Sequence, residues 1–253
     1  MTSRRALKTN QQNRRDFLQA AGAIFAAALA GNLPFAALAQ TRASAKMKIG
    51  TLGSGRVGSA IGAAWVKAGH EVMFSSLDLE ADRKLAASLG AGARAGTPRE
   101  AAAFGEVLLV SVPYTALPGL GRDLGDLIKG KIVIDTSNPI VARDGDMAVA
   151  ARAKGAGIAS MEFLPGARIV RAFNAIGAAR MAEAASKSER VGMPIAGDDP
   201  NAISVASALV RDAGYEPVLV GTLAAMGKYL VPGTPLSGER SPEEIRKVAA
   251  TLK

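Results

Sequence analysis

Cysteine is absent from this 253-residue chain, and histidine occurs once, at position 70. The lack of cysteine excludes disulfides, thiolate metal ligands, a lipid-modified cysteine anchor and cysteine nucleophiles. A single histidine cannot supply the several ligands of a histidine-based metal site, and its place before the second predicted strand leaves no histidine at the carboxyl ends of the strands as the base of a serine-hydrolase triad. His70 lies in a predicted turn before a strand, which favours a structural role. No side chain is therefore predicted to be a catalytic acid or base, and no metal site is expected.

Aromatic residues make up only 4% of the chain, so the sequence shows no large stacking platform for a flavin ring. The formal net charge is +9, of which residues 1–39 carry +4, leaving +5 for the remainder. The basic residues are scattered and do not alternate with aromatic residues, so nucleic-acid binding is not expected. The positive balance suits anionic small molecules such as nucleotides.

Residues 1–39 have the pattern of a twin-arginine export signal. Arg14 and Arg15 precede an alanine-rich run at 20–30 and a small-residue cleavage site at 37–39. Because this run is shorter than the roughly 20 residues that span a bilayer, a cleaved signal is favoured over a permanent membrane anchor. The prediction is a periplasmic protein, delivered by the twin-arginine export machinery, with a linker at 40–46.

The most specific motif is Gly-x-Gly-x-x-Gly, formed by Gly53, Gly55 and Gly58. It follows an apolar run of strand length and precedes a helical pattern. In dinucleotide-binding folds the first glycine allows a tight turn, the second lets the backbone approach a pyrophosphate, and the third permits close helix–sheet contact. The following helix offers free N–H groups to the anion. The alternative is a glycine-rich turn that holds no ligand. The predicted binding residues of this segment are Gly53, Ser54, Gly55, Arg56, Val57 and Gly58.

Seven apolar runs of strand length alternate with helix-length segments from residue 48 onward. This alternation predicts an α/β fold, a Rossmann-like doubly wound and mostly parallel sheet covered on both faces. Residues 47–221 are predicted to form this domain, and 222–253 a short helical C-terminal extension whose last helix is a candidate contact for a homodimer. Helix starts are predicted at Thr97, Asp199 and Ser241. The predicted strands are 48–52, 71–74, 107–112, 131–135, 168–172, 193–196 and 217–220.

The end of the second predicted strand bears on the choice between NAD and NADP. An acidic residue that accepts hydrogen bonds from a free ribose is usual there. Here Ser75 and Ser76 occupy that place, and Arg83 and Lys84 follow in the next helix, which favours binding of a 2′-phosphate and hence NADP. Asp78 keeps NAD as an alternative. A solvated helix face is the alternative for the two cations.

Two further segments follow predicted strands and point to the same crevice. Ligands bind at the carboxyl ends of parallel strands in such sheets. Val112, Pro113 and Tyr114 are predicted to bind the coenzyme, with Pro113 fixing the turn and Tyr114 flanking the nicotinamide ring. Asn138 and Asn174 are predicted to offer carboxamides to the ligand.

Together these motifs resemble the deazaflavin (coenzyme F420)-dependent NADP reductase family of small dinucleotide-binding oxidoreductases. The resemblance implies that NADPH and a deazaflavin or flavin lie face to face and exchange a hydride. It also implies that Ser54 is a hydroxyl residue of the phosphate loop and that Ser76 contacts the 2′-phosphate. Leu77 stands where the family commonly has arginine. The resemblance extends from about residue 47 to 235 and is based on residues 53–58, 69–72, 112–114, 134–139, 172–174, 196–199 and 221–224.

Direct hydride transfer depends on positioning and needs little proton chemistry, which suits a chain with few acid–base groups in the predicted crevice. The sequence therefore predicts an NADP-dependent reductase of a small deazaflavin, flavin or ferric acceptor, whose nucleotide crosses the membrane already bound. The alternative is an exported nucleotide-binding module without turnover. A dehydrogenase of small carbonyl or imine substrates would need a lysine or similar acid at the nicotinamide, and no motif places one there.

Overall fold

Strands and helices alternate in the computed structural model, which describes residues 46–181 and 190–252. The predicted export signal, and the predicted linker up to residue 45, lie outside the described residues. The β-strands of the described residues are β1 (Lys48–Leu52), β2 (Glu71–Ser75), β3 (Ala93–Ala95), β4 (Val107–Val110), β5 (Ile132–Asp135), β6 (Arg168–Arg171), β7 (Gly192–Gly197) and β8 (Glu216–Gly221).

Within the described residues, helices connect successive strands, and short 3-10 turns at Tyr114–Ala116 and Gly227–Tyr229 supplement them. The α-helices of the described residues are α1 (Arg56–Lys67), α2 (Leu79–Leu89), α3 (Pro98–Phe104), α4 (Leu117–Ile128), α5 (Val141–Lys154), α6 (Ala156–Phe163), α7 (Ala178–Met181), α8 (Pro200–Asp212), α9 (Leu223–Met226) and α10 (Pro242–Thr251).

The strands form one sheet in the order β3-β2-β1-β4-β5-β6-β7-β8. Neighbouring strands are parallel except at β6 and β7, which run antiparallel. This is the predicted Rossmann-like, mostly parallel α/β fold, and the prediction is confirmed. The chain moves outward from β1 to β3 and then returns to place β4 on the other side of β1. The carboxyl ends of β1 and β4 therefore mark the switch point where ligands bind in such sheets.

Both faces of the sheet are covered, which explains why the strands read as nearly continuous apolar runs. On one face Trp65 of α1 is fully buried, donates from its indole N–H to the Leu209 carbonyl at 2.7 Å, and packs edge-on against Phe173. On the other face the buried cluster includes residues from β4, α4 and α10. The sheet is thus held between two apolar layers, and its carboxyl edge faces the connecting loops.

The predicted C-terminal extension is part of the same core. A Cβ atom on Gly192 of β7 would lie 2.6 Å from the Ile245 side chain of α10, so the strand and this helix are in close contact. Leu230 and Leu236, in the segment between α9 and α10, are fully buried. Residues 222–252 therefore cover one end of the sheet and can contribute to a site there.

His70 has a structural role, as predicted. The ring is buried, its Nδ1 accepts a hydrogen bond from the Met47 backbone N–H at 3.2 Å, and its Nε2 lies 3.0 Å from a carboxylate oxygen of Asp212. These contacts join the start of β1 to the end of α8. The ring lies at the end of the sheet away from the switch point.

The predicted helix starts at Thr97 and Ser241 are confirmed as capping boxes, and Asp199 caps α8. The Asp199 carboxylate accepts hydrogen bonds from Arg168 at 2.6 and 3.0 Å and from the Ala202 N–H at 2.7 Å. The Arg168 contact, followed by the Ala202 N–H, lowers the pKa of Asp199 from 3.8 to about 2.

This depressed pKa predicts an acid-dependent contribution to stability. Because the folded-state pKa is below the unfolded value, the contribution is present above about pH 4 and is lost as the pH falls toward 2. Asp199→Asn keeps a good capping side chain but does not titrate. In urea unfolding, the wild-type free energy of unfolding should therefore fall more steeply between pH 4 and pH 2 than that of Asp199→Asn. The control is Asp146→Asn at an exposed aspartate, which should follow the wild type; parallel curves for wild type and Asp199→Asn would contradict the prediction.

Candidate functional site

The glycine turn joins β1 to α1 and is fixed to the end of β2. Gly53 has φ = 98°, and the N–H groups of Gly53 and Ser54 both donate to the Ser75 carbonyl, at 2.9 and 3.0 Å. A Cβ atom on Gly58 would lie 2.0 Å from the Gly53 carbonyl oxygen, so this position needs glycine for the helix to approach the turn. The sequence pattern therefore folds into the compact turn that was predicted.

The N-terminus of α1 is open to an anion. Gly55 is the N-cap residue, no side chain caps the helix, and its first turn contains no acidic residue. A Cβ atom on Gly55 would meet no heavy atom within 4 Å, so the space above the turn is free. Since the first N–H groups of a helix have no intrahelical partner, this arrangement fits a diphosphate held by backbone N–H groups.

Two cavities flank the glycine turn. The β2-side cavity, of about 770 Å³, extends along the end of β2 and the face of α4. The β6-side cavity, of about 560 Å³, lies between the ends of β4, β5 and β6 and reaches the C-terminal segment at Gly233 and Ser237. The residues that line both cavities are Gly55, Ser111, Val112 and Pro113. A ligand long enough to cross this shared wall would place its two ends in different cavities.

The charges of the two cavities differ. Among the described residues, Arg56 and Arg143 line the β6-side cavity, and no acidic residue does. Asp78 and Asp123 line the β2-side cavity, and no lysine or arginine of the described residues does. The β6-side cavity therefore favours an anionic group, and the β2-side cavity favours a neutral one.

Arg83 and Lys84 do not take the predicted position. Neither side chain lines the β2-side cavity, both residues are exposed on α2, and Arg83 forms an ion pair with Glu80 one turn earlier. The reason is the helical period: the position that α2 turns toward the glycine turn is 82, so positions 83 and 84 face solvent. Contacts of these two cations with a 2′-phosphate therefore stay a prediction, and the structure places neither residue in the cavity lining.

Asp82 is the residue that α2 directs toward the turn, and sequence reasoning missed it. Its side chain is only 2% exposed and accepts hydrogen bonds from the Ser54 hydroxyl and, at 2.9 Å, from the Ser76 hydroxyl. The signal was present in the sequence, because 82 and 86 are the buried positions of α2 and one of them carries a carboxylate. A charged residue on the buried face of a helix needs polar partners, and here the two serines supply them.

Ser75 and Tyr114 also differ from their predicted roles. The Ser75 hydroxyl is buried and donates to the Thr51 carbonyl at 2.7 Å, so its hydrogen bond is made within the sheet. Tyr114 is fully buried, donates to the Ala156 carbonyl at 3.0 Å and packs edge-on against Phe163. Burial raises the pKa of Tyr114 to about 12. The 3-10 turn after Pro113 directs this ring into the core beneath α6, so it does not flank a ligand in the crevice.

Asn138 and Asn174 both line the β6-side cavity, as the sequence predicts for the crevice. The Asn174 amide donates to the Ser137 carbonyl at 3.3 Å and to the Asn138 side-chain oxygen at 3.4 Å. The side-chain oxygen of Asn174 is buried without a hydrogen-bond partner among the described residues. Phe173, which precedes Asn174, has φ = 62°. Among the described residues, no other non-glycine residue has a positive φ. Unpaired acceptors and strained backbone are typical of ligand sites.

A buried ion pair supports this wall of the cavity. Arg171 of β6 and Asp135 of β5 are both fully buried, with a nitrogen–oxygen distance of 2.6 Å. The other guanidinium arm donates to the carbonyls of Ser137 at 3.0 Å and Leu230 at 2.9 Å. Arg171 thereby fixes both the loop after β5 and the C-terminal segment. The sequence signal for it was a charged residue inside an apolar strand.

The glycine turn, the open helix terminus and the two cavities at the switch point define a dinucleotide-binding domain of the Rossmann-like class. Residues 48–139 match the family of coenzyme F420-dependent NADP oxidoreductases. The match confirms, for this segment, the resemblance seen in the sequence. It covers the turn, the shared wall of the cavities and Asn138. The chain has no significant match among curated proteins.

Solved structures share the fold. A hypothetical protein from Sinorhizobium meliloti is 25% identical with a TM-score of 0.64, and the match covers 83% of this chain and 99% of that one. A proposed F420-dependent NADP-reductase from Arthrobacter sp. FB24 is 20% identical with a TM-score of 0.59, over 74% of this chain and 90% of that one. An imine reductase from Myxococcus stipitatus, in complex with NAD⁺, is 17% identical with a TM-score of 0.53, over 82% of this chain and 60% of that one. The family match and this fold support an NAD(P)-dependent oxidoreductase.

Proposed function

We propose that this protein transfers a hydride between a nicotinamide coenzyme and a flavin- or deazaflavin-type ring. The observation that carries the proposal is the pair of cavities joined at Gly55 and the shared wall, at the switch point of the sheet. The coenzyme would extend from the β2-side cavity, across the glycine turn, into the β6-side cavity. The bound coenzyme supplies the hydride, and the protein supplies position.

Each part of the site has a role in this proposal. The first N–H groups of α1 hold the diphosphate, and Arg56 adds a positive charge beside it. Val112 and Pro113 form the wall against which the nicotinamide lies. Asn174, with its unpaired side-chain oxygen, accepts a hydrogen bond from the nicotinamide carboxamide. Positioning of two rings at contact distance supplies the catalysis, and no proton transfer by a side chain is required.

The acceptor enters the β6-side cavity. Arg143 is partly exposed there, with 43% of its side chain accessible, and donates to the Asn138 carbonyl at 2.8 Å. The charge of Arg143 is paired with the buried Asp144 carboxylate at 2.8 Å, so among the described residues Arg56 supplies the unpaired positive charge of the cavity lining, which suits a flat acceptor that carries an anionic substituent. The description of the matched family favours NADP as the coenzyme, whereas the side chains at the end of β2 favour NAD.

The test is oxidation of reduced coenzyme, followed under anaerobic conditions by the loss of absorbance at the nicotinamide band. Purified protein is mixed with NADH or NADPH and, in separate reactions, with FMN, a deazaflavin and a ferric chelate. We expect protein-dependent oxidation with a ring acceptor. If the coenzyme bound saturably but no acceptor oxidised it, the proposed hydride-transfer activity would be overturned. That result would favour a nucleotide-binding module without turnover.

We further propose that the protein is exported in folded form with its nucleotide bound. The support is the twin-arginine pattern in residues 1–39 together with an intact glycine turn, since this export route carries folded proteins. Within residues 46–181 and 190–252, no helix is long and apolar enough to cross a membrane. Mass analysis of protein released from the native periplasm, without added nucleotide, should find about one nucleotide per chain. Recovery of folded protein without nucleotide would contradict this proposal.

A further inference from the structure

We propose that Asp82 makes this protein selective for NAD(H) over NADP(H), an inference that rests on the proposed function. Asp82 lies beneath the part of the β2-side cavity where the glycine turn and the end of β2 meet. In a dinucleotide-binding fold, this is where the ribose of the adenosine half lies. The carboxylate is 2% exposed and does not itself line the cavity, so it acts through the Ser76 hydroxyl that it holds, because Ser76 does line the cavity.

The contacts of Asp82 use the groups that a 2′-phosphate would need. The Ser54 hydroxyl, from the glycine turn, and the Ser76 hydroxyl, from the end of β2, both donate to its carboxylate. These are the two serines that the family resemblance assigns to the phosphate loop and the 2′-phosphate. Because each hydroxyl has a single proton, neither can donate to a phosphate while it donates to Asp82.

The charge at this place also opposes a phosphate. Asp82 forms no ion pair with any described residue, and no lysine or arginine among them lines the β2-side cavity. Leu77, which replaces the family's common arginine, is fully exposed and brings no charge. Asp78 adds a second carboxylate to the lining. A dianionic 2′-phosphate would thus face like charges without a compensating cation, which is an effective way to reject a ligand.

A free ribose fits the same groups. Its 2′- and 3′-hydroxyls are hydrogen-bond donors, and a carboxylate at this place is an acceptor. Asp78 is exposed and lines this cavity, so its carboxylate can accept from the ribose hydroxyls beside its bond from the Ala81 N–H at 2.9 Å. Asp82, buried below, holds the two serine hydroxyls. NAD(H) therefore gains the contact at which NADP(H) meets repulsion.

The test is calorimetric titration of the full chain with NADH and, separately, NADPH. For the wild type we expect NADH to bind at least about 10-fold more tightly, the size of effect that one well-placed like charge produces. Asp82→Asn keeps the shape of the side chain and removes its charge, and should reduce the preference at least about 5-fold through tighter NADPH binding. The matched control, Asp146→Asn, removes an exposed carboxylate that lines neither cavity and should leave the preference unchanged.

A second variant keeps the proposal testable if Asp82→Asn does not fold. Leu77→Arg changes an exposed side chain and supplies the absent cation, so it should tighten NADPH binding about 10-fold with little effect on NADH. A wild type that prefers NADPH, or an Asp82→Asn variant in which both affinities change equally, would overturn the assignment and leave the proposed function standing. If neither NADH nor NADPH bound, both the assignment of Asp82 and the proposed function would be overturned.

Discussion

Gly55→Asp should abolish nucleotide binding and leave the fold at least as stable as the wild type. Gly55 is the N-cap of α1, with φ = −63° and ψ = −168°, a conformation open to any residue. A Cβ atom there would meet no heavy atom within 4 Å, and aspartate is among the preferred N-cap residues. The new carboxylate would however occupy the space of the diphosphate and repel it. We expect a loss of affinity of at least about 100-fold, since facing like charges cost several kcal/mol.

The measurement is a pair of experiments on the same protein, calorimetric titration with NADH and thermal unfolding. Gly125→Ala is the matched control, because Gly125 of α4 also has open space around its Cα but lines neither cavity. This control should gain up to about 1 kcal/mol of stability from helix propensity and bind NADH as the wild type does. If Gly55→Asp bound NADH within a few-fold of wild type, the diphosphate would not lie at this turn.

Arg171→Met should destabilise the protein by about 3–5 kcal/mol, the usual effect of removing one partner from a fully buried ion pair. Among the described residues, the variant leaves the buried Asp135 carboxylate with hydrogen bonds from the Ser160 hydroxyl at 2.7 Å and the Ser137 N–H at 2.8 Å alone. It also removes the donor that the Leu230 carbonyl uses. The β6-side cavity should loosen as a result, because the loop after β5 and the C-terminal segment both depend on this guanidinium.

Urea unfolding measures this effect, and two variants serve as comparisons. Arg99→Met removes the arginine of an exposed ion pair with Asp126 and should cost no more than about 1 kcal/mol. Asp135→Asn combined with Arg171→Met removes the uncompensated charge, and should recover part of the loss, so the two substitutions are not additive. A free energy of unfolding for Arg171→Met within about 1 kcal/mol of wild type would contradict the structural role given to this pair.

The fold was largely predictable because its signals are local. Each of the seven predicted strands is an apolar run, and a buried parallel strand has to be one. The missed strand, β3 at Ala93–Ala95, has three residues with an arginine at its centre, as an edge strand allows. The antiparallel pairing of β7 with β6 was not predicted, since the direction of a strand depends on its connection and leaves no mark in its composition.

The candidate site was predictable only where one segment makes it. The glycine turn follows from a six-residue pattern with its flanking strand and helix. Tyr114 was placed wrongly because β4 ends at Val110, and the turn after it then directs the ring into the core. Asp82 and Arg171 were missed because their roles arise from contacts between elements. Ser54 and Ser76 meet Asp82 only once α2 has packed beside the turn.

The central claim is that a nicotinamide coenzyme lies across the glycine turn with its ends in the two cavities. A crystal structure of the protein grown with saturating NADH tests it most directly. The claim predicts a diphosphate within hydrogen-bonding distance of the first N–H groups of α1, the adenosine above Asp82, and the nicotinamide carboxamide at the side-chain oxygen of Asn174. A coenzyme bound elsewhere, or none bound at saturation, would contradict it.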